Sequence, residues 1–388
     1  MTRKCSGNDR EMPTPGDRIQ IAGAARRPSV INNDSPTASR VRRLPAEWEP
    51  QRAVMLAWPY EGSDWTPWLA EVEQVYLSLA REISLRESLL ILCRTQALAQ
   101  ALPERLARAG ADTSRIRLHI VPYNDTWVRD FGPLTVLENG RPRLLDFQFN
   151  GWGGRHPASL DNQATRRLHH QGGLPGLPLE HVDFVLEGGS IDGDGEGTLL
   201  TTRRCLLHPT RNPGWKRDGI ERLLRERLGI SRILWLTHGH LAGDDTDGHV
   251  DMLARFCDPQ TIAYSHCEDP GDIHFPALQA LARELAALRT LDGRPYRLVP
   301  LHLPRAKYDE AGARLPASYA NFLVINGAVL VPVYDDPADA QALEALARCF
   351  PGRTVCPIPA LPLIRQHGSI HCVTMQLPEG DSIRQTPS

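Results

Sequence analysis

From Leu44 onward, short apolar runs alternate with longer segments in which apolar residues recur every three or four positions. The short runs predict strands at Ala53–Trp58, Leu89–Cys93, Ile116–Val121, Leu134–Leu137, Leu144–Phe149, Val182–Leu186, Thr198–Thr202, Ile233–Leu236, Thr261–Ser265, Asn321–Ile325 and Val329–Val333. The longer periodic segments predict helices near 68–84, 96–109, 215–228, 276–289 and 337–349. Asn326-Gly327, between NFLVI and AVLVPV, is a strong two-residue hairpin signal, and Asn139-Gly140 is a weaker one. Hairpins opening near RDFGPLTV, EGGSIDGDGEGTLLTT, HVDMLARFCDPQTIAYS and YANFLVINGAVLVPV are each followed by a helix and a further strand. The units share a plan and no sequence identity. The pattern alone supports an α/β fold with recurrent units of roughly 70 residues.

Ahead of this region, residues 1–43 are rich in Arg, Pro, Asn, Asp and Ser with little apolar periodicity, which predicts a disordered leader. A single domain is expected over 44–380 and a tail over 381–388. The full 388 residues are 41% hydrophobic with a formal net charge of −2, so the electrostatic signature of a nucleic-acid binder is missing. No apolar run approaches the roughly 20 residues of a membrane span. Eight scattered cysteines form no Cys-x-x-Cys pair, which suits buried thiols in a reducing compartment; the cytoplasm is the expected location.

Four segments carry chemistry. They are Trp127-Val128-Arg129-Asp130, Glu187-Gly188-Gly189, Gly248-His249-Val250-Asp251 and His371-Cys372. Each alone has an ordinary structural reading: a core cysteine, an Arg–Asp pair at a turn, a Gly-Gly turn, a structural His-x-Asp. Together they supply a thiol, a group that moves protons near neutral pH, and three carboxylates. Carboxylates around a thiol oppose thiolate formation unless the substrate is itself a cation. A guanidinium fits, being planar, always charged, and able to be gripped by carboxylates along its fork of donors. If His249 and Asp251 lie on a strand, their spacing points both side chains the same way.

In this order, and with LPAEWEPQRAVMLAWP near the start and Asn150 to Gly154 as NGWGG, the segments resemble the agmatine deiminase and bacterial peptidylarginine deiminase family. These are guanidine-modifying enzymes of the pentein fold, and the resemblance runs from about Leu44 to Pro378. It implies a five-bladed α/β propeller of pseudo-fivefold ββαβ units around a central site. It implies Cys372 as nucleophile, His249 as general acid and base, and Glu187 as the acid that orients it. Asp130 and Asp251 would bind the guanidinium and Trp127 would line the site. No metal or cofactor is implied. The expected partner is a small guanidine, agmatine first, with no nucleic acid and no membrane, while self-association into a homo-oligomer stays open. The implied reaction yields N-carbamoylputrescine and ammonia, a step toward putrescine.

One stretch departs from the family. Where agmatine deiminases commonly read Gly-Gly-Gly-Asn-Ile-His-Cys, this chain reads Gln366-His367-Gly368-Ser369-Ile370-His371-Cys372. That changes the pocket mouth and leaves peptidyl-arginine or another alkylguanidine as alternative substrates. An amidinotransferase shares the implied fold and intermediate, and a binding module with an inactive pocket is a further alternative. Thr237-His238-Gly239-His240 resembles part of the zinc motif of metallo-β-lactamase-like enzymes, but Ala242 and Gly243 stand where the remaining ligands belong. His371, if on a strand beside Cys372, would point away from the pocket in a structural role.

Overall fold

The Asn326-Gly327 turn joins Leu323–Ile325 to Ala328–Val333 as an antiparallel hairpin, with Gly327 at a φ of +73°. After the helix Ala338–Cys349 the chain lays Thr354–Pro359 parallel to the hairpin's second strand. A parallel return needs such a crossover, because a tight turn can only reverse direction. The computed structural model describes residues 41–381, and among these the hairpin–helix–strand plan occurs five times, in five separate sheets of a mixed α/β fold.

Three of the other sheets repeat the plan directly. Leu134–Glu138 and Arg141–Gln148 form a hairpin around Asn139-Gly140, and Leu179–Val185 returns parallel after the helix Asp161–His170. Ile191–Gly193 and Thr198–Thr202 are joined by Arg232–Leu236 after the helix Arg217–Leu228. Ala254–Asp258 and Thr261–His266 are joined by Arg297–His302 after the helix Phe275–Ala287. The fifth sheet takes its hairpin partners from opposite ends of the described chain. Thr374–Pro378 pairs antiparallel with Gln51–Ala57, which then leads through two helices to Ser88–Cys93 and Ile116–Ile120. In the first of those helices, Leu69–Ser84, the residues Val72, Val75, Tyr76, Leu79, Ala80 and Ile83 are buried, the one-sided spacing that its periodicity predicts.

The predicted leader overlaps the first of these sheets. Arg42–Arg43 pair with Leu137 and Glu138, and Arg42 reaches Glu138 at 2.9 Å and Glu180 at 2.6 Å. Asp381, assigned to the tail, donates its backbone N–H to the Gly140 carbonyl and pairs with Arg43 at 2.6 Å. Residues 1–40 and 382–388, which hold the rest of the predicted leader and tail, lie outside the described residues.

A buried ionic cluster ties the sheets together beneath the site. Arg255, 1% exposed, donates to Asp192 at 2.6 Å, to Glu47 at 2.8 Å and to the Phe322 carbonyl at 3.1 Å. Glu47 comes from the LPAEWEP segment and also accepts from the Val324 backbone N–H and from His371. Such a cluster fixes geometry more than it adds stability. Removing one member leaves an uncompensated buried charge, at about 3–5 kcal/mol.

Candidate active site

Five functional side chains occupy equivalent places, each just ahead of the strand that opens a sheet. Asp130 precedes Leu134–Glu138, Glu187 precedes Ile191–Gly193, Asp251 precedes Ala254–Asp258, Asn321 precedes Leu323–Ile325 and Cys372 precedes Thr374–Pro378. Loops at the ends of rigid strands are where a scaffold holds reactive groups steady. Asp130, Trp127, His249 and Cys372 line a cavity of about 300 Å³, and Asp251 and Glu187 lie directly behind its wall.

The Glu-Gly-Gly segment explains itself in space. A Cβ on Gly188 would stand 2.2 Å from the Arg129 carbonyl oxygen. One on Gly189 would stand 2.6 Å from His249 Nδ1 and 3.0 Å from an oxygen of both Asp130 and Asp251. Only glycine permits this convergence. Gly189 also donates its N–H to Asp130 Oδ1 at 3.0 Å, and Trp152 Nε1–H donates to Oδ2 at 2.9 Å. Trp152, the tryptophan of NGWGG, adopts a φ of +54°, a strained conformation of the kind that accumulates at functional sites.

His249 sits between two acids, with Nε2 2.8 Å from Glu187 Oε2 and Nδ1 3.6 Å from Asp130 Oδ1. Burial disfavours its charged form, but Asp130, then Cys205 and Glu187, outweigh this and hold the imidazole well above the usual histidine range. Burial would raise Glu187, yet His249 and Arg211 keep it below the usual carboxylate range. Arg211 grips Glu187 through Nε at 3.1 Å and also pairs with Asp247. Asp130 shows the opposite balance: burial pushes it up to about 6 against the pull of His249. Cys372, 7% exposed, lies 3.3 Å from the Asn321 side-chain amide and 3.7 Å from Asp251 Oδ2. Burial, then Asp251 and Asp130, push its thiol far up. The site thus favours a protonated histidine beside a neutral thiol, a balance that a bound cation would shift toward the thiolate.

Several expectations change. His249 caps, and Asp251 lies within, a 3-10 turn, Val250–Met252, so the strand argument for their shared direction fails. They converge because the turn wraps them around Gly189. His371 is likewise in a turn, with Nδ1 2.8 Å from Asp251 Oδ2 and Nε2 2.8 Å from Glu47 Oε2. It does point away from the cavity, and it positions Asp251, whose Oδ1 is buried without a hydrogen-bond partner. Arg129 does not pair with Asp130. It braces the nucleophile turn, donating its backbone N–H to the Cys372 carbonyl at 3.2 Å and its Nε to the His371 carbonyl at 3.2 Å. Trp127 lies against Gly368, where a Cβ would be 2.2 Å from its ring. His238 and His240 are exposed and lie outside the cavity lining.

Sequence reasoning missed Asn321, Arg211 and most of the cavity's outer ring, Asp64, Asp125, His156 and Asp245, while it did place Gln366 and His367 at the mouth. Trp152 had a signal in NGWGG; Asn321 sat unremarked at the start of a hairpin. A buried trio of Glu187, Cys205 and His249 has metal-ligand spacing, but Glu187 is already engaged by Arg211 and His249.

The family model of the Porphyromonas-type peptidyl-arginine deiminases matches residues 43–378. The chain belongs to this family. The agmatine deiminase of Stutzerimonas stutzeri is 35% identical over 364 residues, covering 86% of this chain and 95% of that protein. Among solved structures, a C. jejuni agmatine deiminase with substrate bound matches with a TM-score of 0.81 at 36% identity, covering 88% and 98% of the two chains. A Porphyromonas gingivalis structure that carries a provisional arginine deiminase name matches at 0.81 and 50% identity, covering 87% and 98%. Like others of the peptidyl-arginine deiminase family, this chain is a hydrolase of amidine C–N bonds.

Proposed function

We infer that the chain is an agmatine deiminase, converting agmatine to N-carbamoylputrescine and ammonia. The observation that carries the choice of substrate is the charge of the cavity mouth. Asp64, Asp125 and Asp245 line it, and no Arg or Lys does. A free-arginine enzyme needs a cation for the α-carboxylate, and two candidates for that role, Arg155 and Arg365, are engaged elsewhere. Arg155 pairs with Asp247 at 2.7 Å, and Arg365 pairs with Glu310 at 2.7 Å and stacks over Trp68. A guanidine with a second cation at its far end suits this lining. The curated agmatine deiminases at about 35% identity support the same choice.

In this reading the guanidinium settles between Asp130 and Asp251 Oδ1, the buried acceptor without a donor. Its charge favours the Cys372 thiolate, whose proton passes to solvent. Sulfur adds to the guanidinium carbon, His249 protonates the departing nitrogen, and the C–N bond breaks to release ammonia. The amidino-cysteine left behind is attacked by water as His249 takes the water's proton. The C–S bond then breaks, and the proton left on the former water oxygen passes to the departing thiolate, returning the Cys372 thiol and releasing the neutral ureido product. Glu187, held by Arg211, orients His249 through both proton transfers.

The five equivalent site positions support a five-bladed propeller, one ββαβ unit per blade, formed as a single domain that takes in Arg42, Arg43 and Asp381 at its margins. Among the described residues no helix is long and apolar enough to cross a membrane. A cytoplasmic location fits the unpaired cysteines found there.

Ammonia release measured with agmatine, free arginine and a blocked arginine peptide tests the assignment. Agmatine should have the highest kcat/KM by at least about 10²-fold over arginine, whose carboxylate would meet the acidic mouth. Preference for the peptide would move the chain to peptidyl-arginine chemistry. The pH profile carries its own sign. Asp130 is charged above about 6 and neutral below it, so kcat/KM should fall as pH drops through that value. A profile flat down to pH 5 would remove Asp130 from the cation clamp.

A further inference from the structure

Ser369 stands shortly ahead of Cys372 in the chain, and Ser318 stands at the same spacing ahead of Asn321. One phenol joins them. Tyr334 Oη donates to the Ser318 carbonyl at 2.9 Å, accepts the Ser318 N–H at 3.2 Å and lies 3.1 Å from Ser369 Oγ. A phenol has a single hydrogen to give. With that hydrogen on the Ser318 carbonyl, the Ser369 hydroxyl is the donor of the remaining bond. Tyr334, Ser318 and Ser369 are all fully buried, so these bonds form without competition from solvent.

The Ser318 carbonyl also closes the turn that carries Asn321, accepting its backbone N–H at 3.4 Å. From that turn the Asn321 side chain meets the nucleophile. Its Oδ1 accepts the His371 backbone N–H at 2.9 Å, which leaves Nδ2 to face Cys372 Sγ at 3.3 Å. An N–H aimed at sulfur favours the thiolate, the form that burial, Asp251 and Asp130 oppose. Tyr334 is itself anchored. Its backbone N–H donates to Asp339 Oδ1 at 3.0 Å, the same oxygen accepts the Tyr319 hydroxyl at 2.7 Å, and the two tyrosine rings pack 5.3 Å apart.

We propose that Tyr334 is a positioning residue for the nucleophile, a clasp whose hydroxyl joins the Ser318 and Ser369 segments and so keeps the Asn321 amide against the Cys372 sulfur. This rests on Cys372 being the nucleophile of the reading above.

The test follows alkylation of Cys372 by iodoacetamide from neutral to alkaline pH without substrate, read by mass spectrometry of its peptide, beside agmatine kinetics. Tyr334→Phe keeps the ring on Tyr319 and removes the hydroxyl. Ser369→Ala opens the clasp from the other end and leaves Tyr334 bonded to Ser318. The charged groups acting on the sulfur, Asp251, Asp130, His249 and Arg129, are present in both variants. Losing one hydrogen bond to a charged sulfur should slow alkylation about ten-fold on the rising limb of the profile. The profile should accordingly move upward by about one pH unit. For agmatine, kcat should fall by about the same ten-fold while KM changes little. An unmoved profile in either variant would overturn the clasp, which needs both ends. So would faster alkylation at every pH, the sign of a loosened site. Should Tyr334→Phe not fold, the Ser369→Ala profile decides alone. A wild type that hydrolyses no guanidine would sink the agmatine reading, and the alkylation profile would still judge the clasp.

Discussion

Replacing Cys372 with alanine should lower kcat by about 10⁴-fold or more, the scale seen when a covalent nucleophile is removed. Cys93, Cys257 and Cys349, all buried in the apolar core and outside the cavity lining, should tolerate serine with measurable turnover. Among the described residues, the thiol of Cys372 alone reaches both the cavity and a carboxylate behind it, with Asp251 at 3.7 Å. A quenched reaction analysed by mass spectrometry should show the amidino adduct on the peptide containing Cys372. An adduct on Cys205, the buried thiol 3.6 Å from Glu187, would reassign the nucleophile.

The second large effect is expected at Asp130. Asparagine there would remove the charge facing the guanidinium. It would also set an NH₂ against either the Trp152 N–H or the Gly189 N–H, since both carboxylate oxygens are already acceptors. Breaking a buried pair at one partner costs on the order of 3–5 kcal/mol. At about 1.4 kcal/mol per decade, kcat/KM should drop roughly 10²–10³-fold. His249→Asn should instead stop the chemistry while agmatine still binds, which equilibrium titration can separate from the Asp130 result. Near-normal kcat/KM in Asp130→Asn would dismantle the argument that carboxylates select a cation.

What the sequence made legible, and what it did not, divides along physical lines. Central strands such as Val329–Val333 were visible because they are continuously apolar. Of the parallel strands at the sheet edges, Ile116–Val121, Val182–Leu186 and Ile233–Leu236 were visible, while two were not, because their prolines and half-exposed residues break the apolar run. Arg297–His302 carries Pro300, and Thr354–Pro359 carries Pro357 and Pro359. The helix Asp161–His170 went unseen because its sequence, DNQATRRLHH, holds only two apolar residues. Cys372, His249, Glu187 and Asp130 were legible through the ordered motifs. The residues that tune them were not. Arg211, Asn321 and His371 act through partners distant in sequence, and no local pattern encodes that His371 grips Asp251 across 120 positions.

The pairing of Thr374–Pro378 with Gln51–Ala57 has a further consequence for how activity arises in time. A chain made from its amino end exposes Asp130, Glu187 and His249 to the cell long before the reactive sulfur has been synthesised. The strand that follows Cys372 by two residues is also the one that must find a partner more than three hundred positions earlier. Such distant pairing is the slow part of folding. The thiol therefore enters its acidic surroundings in the same event that joins the two ends. A half-assembled molecule would hold an idle acid pocket and an ordinary cysteine, with no means of modifying stray guanidines.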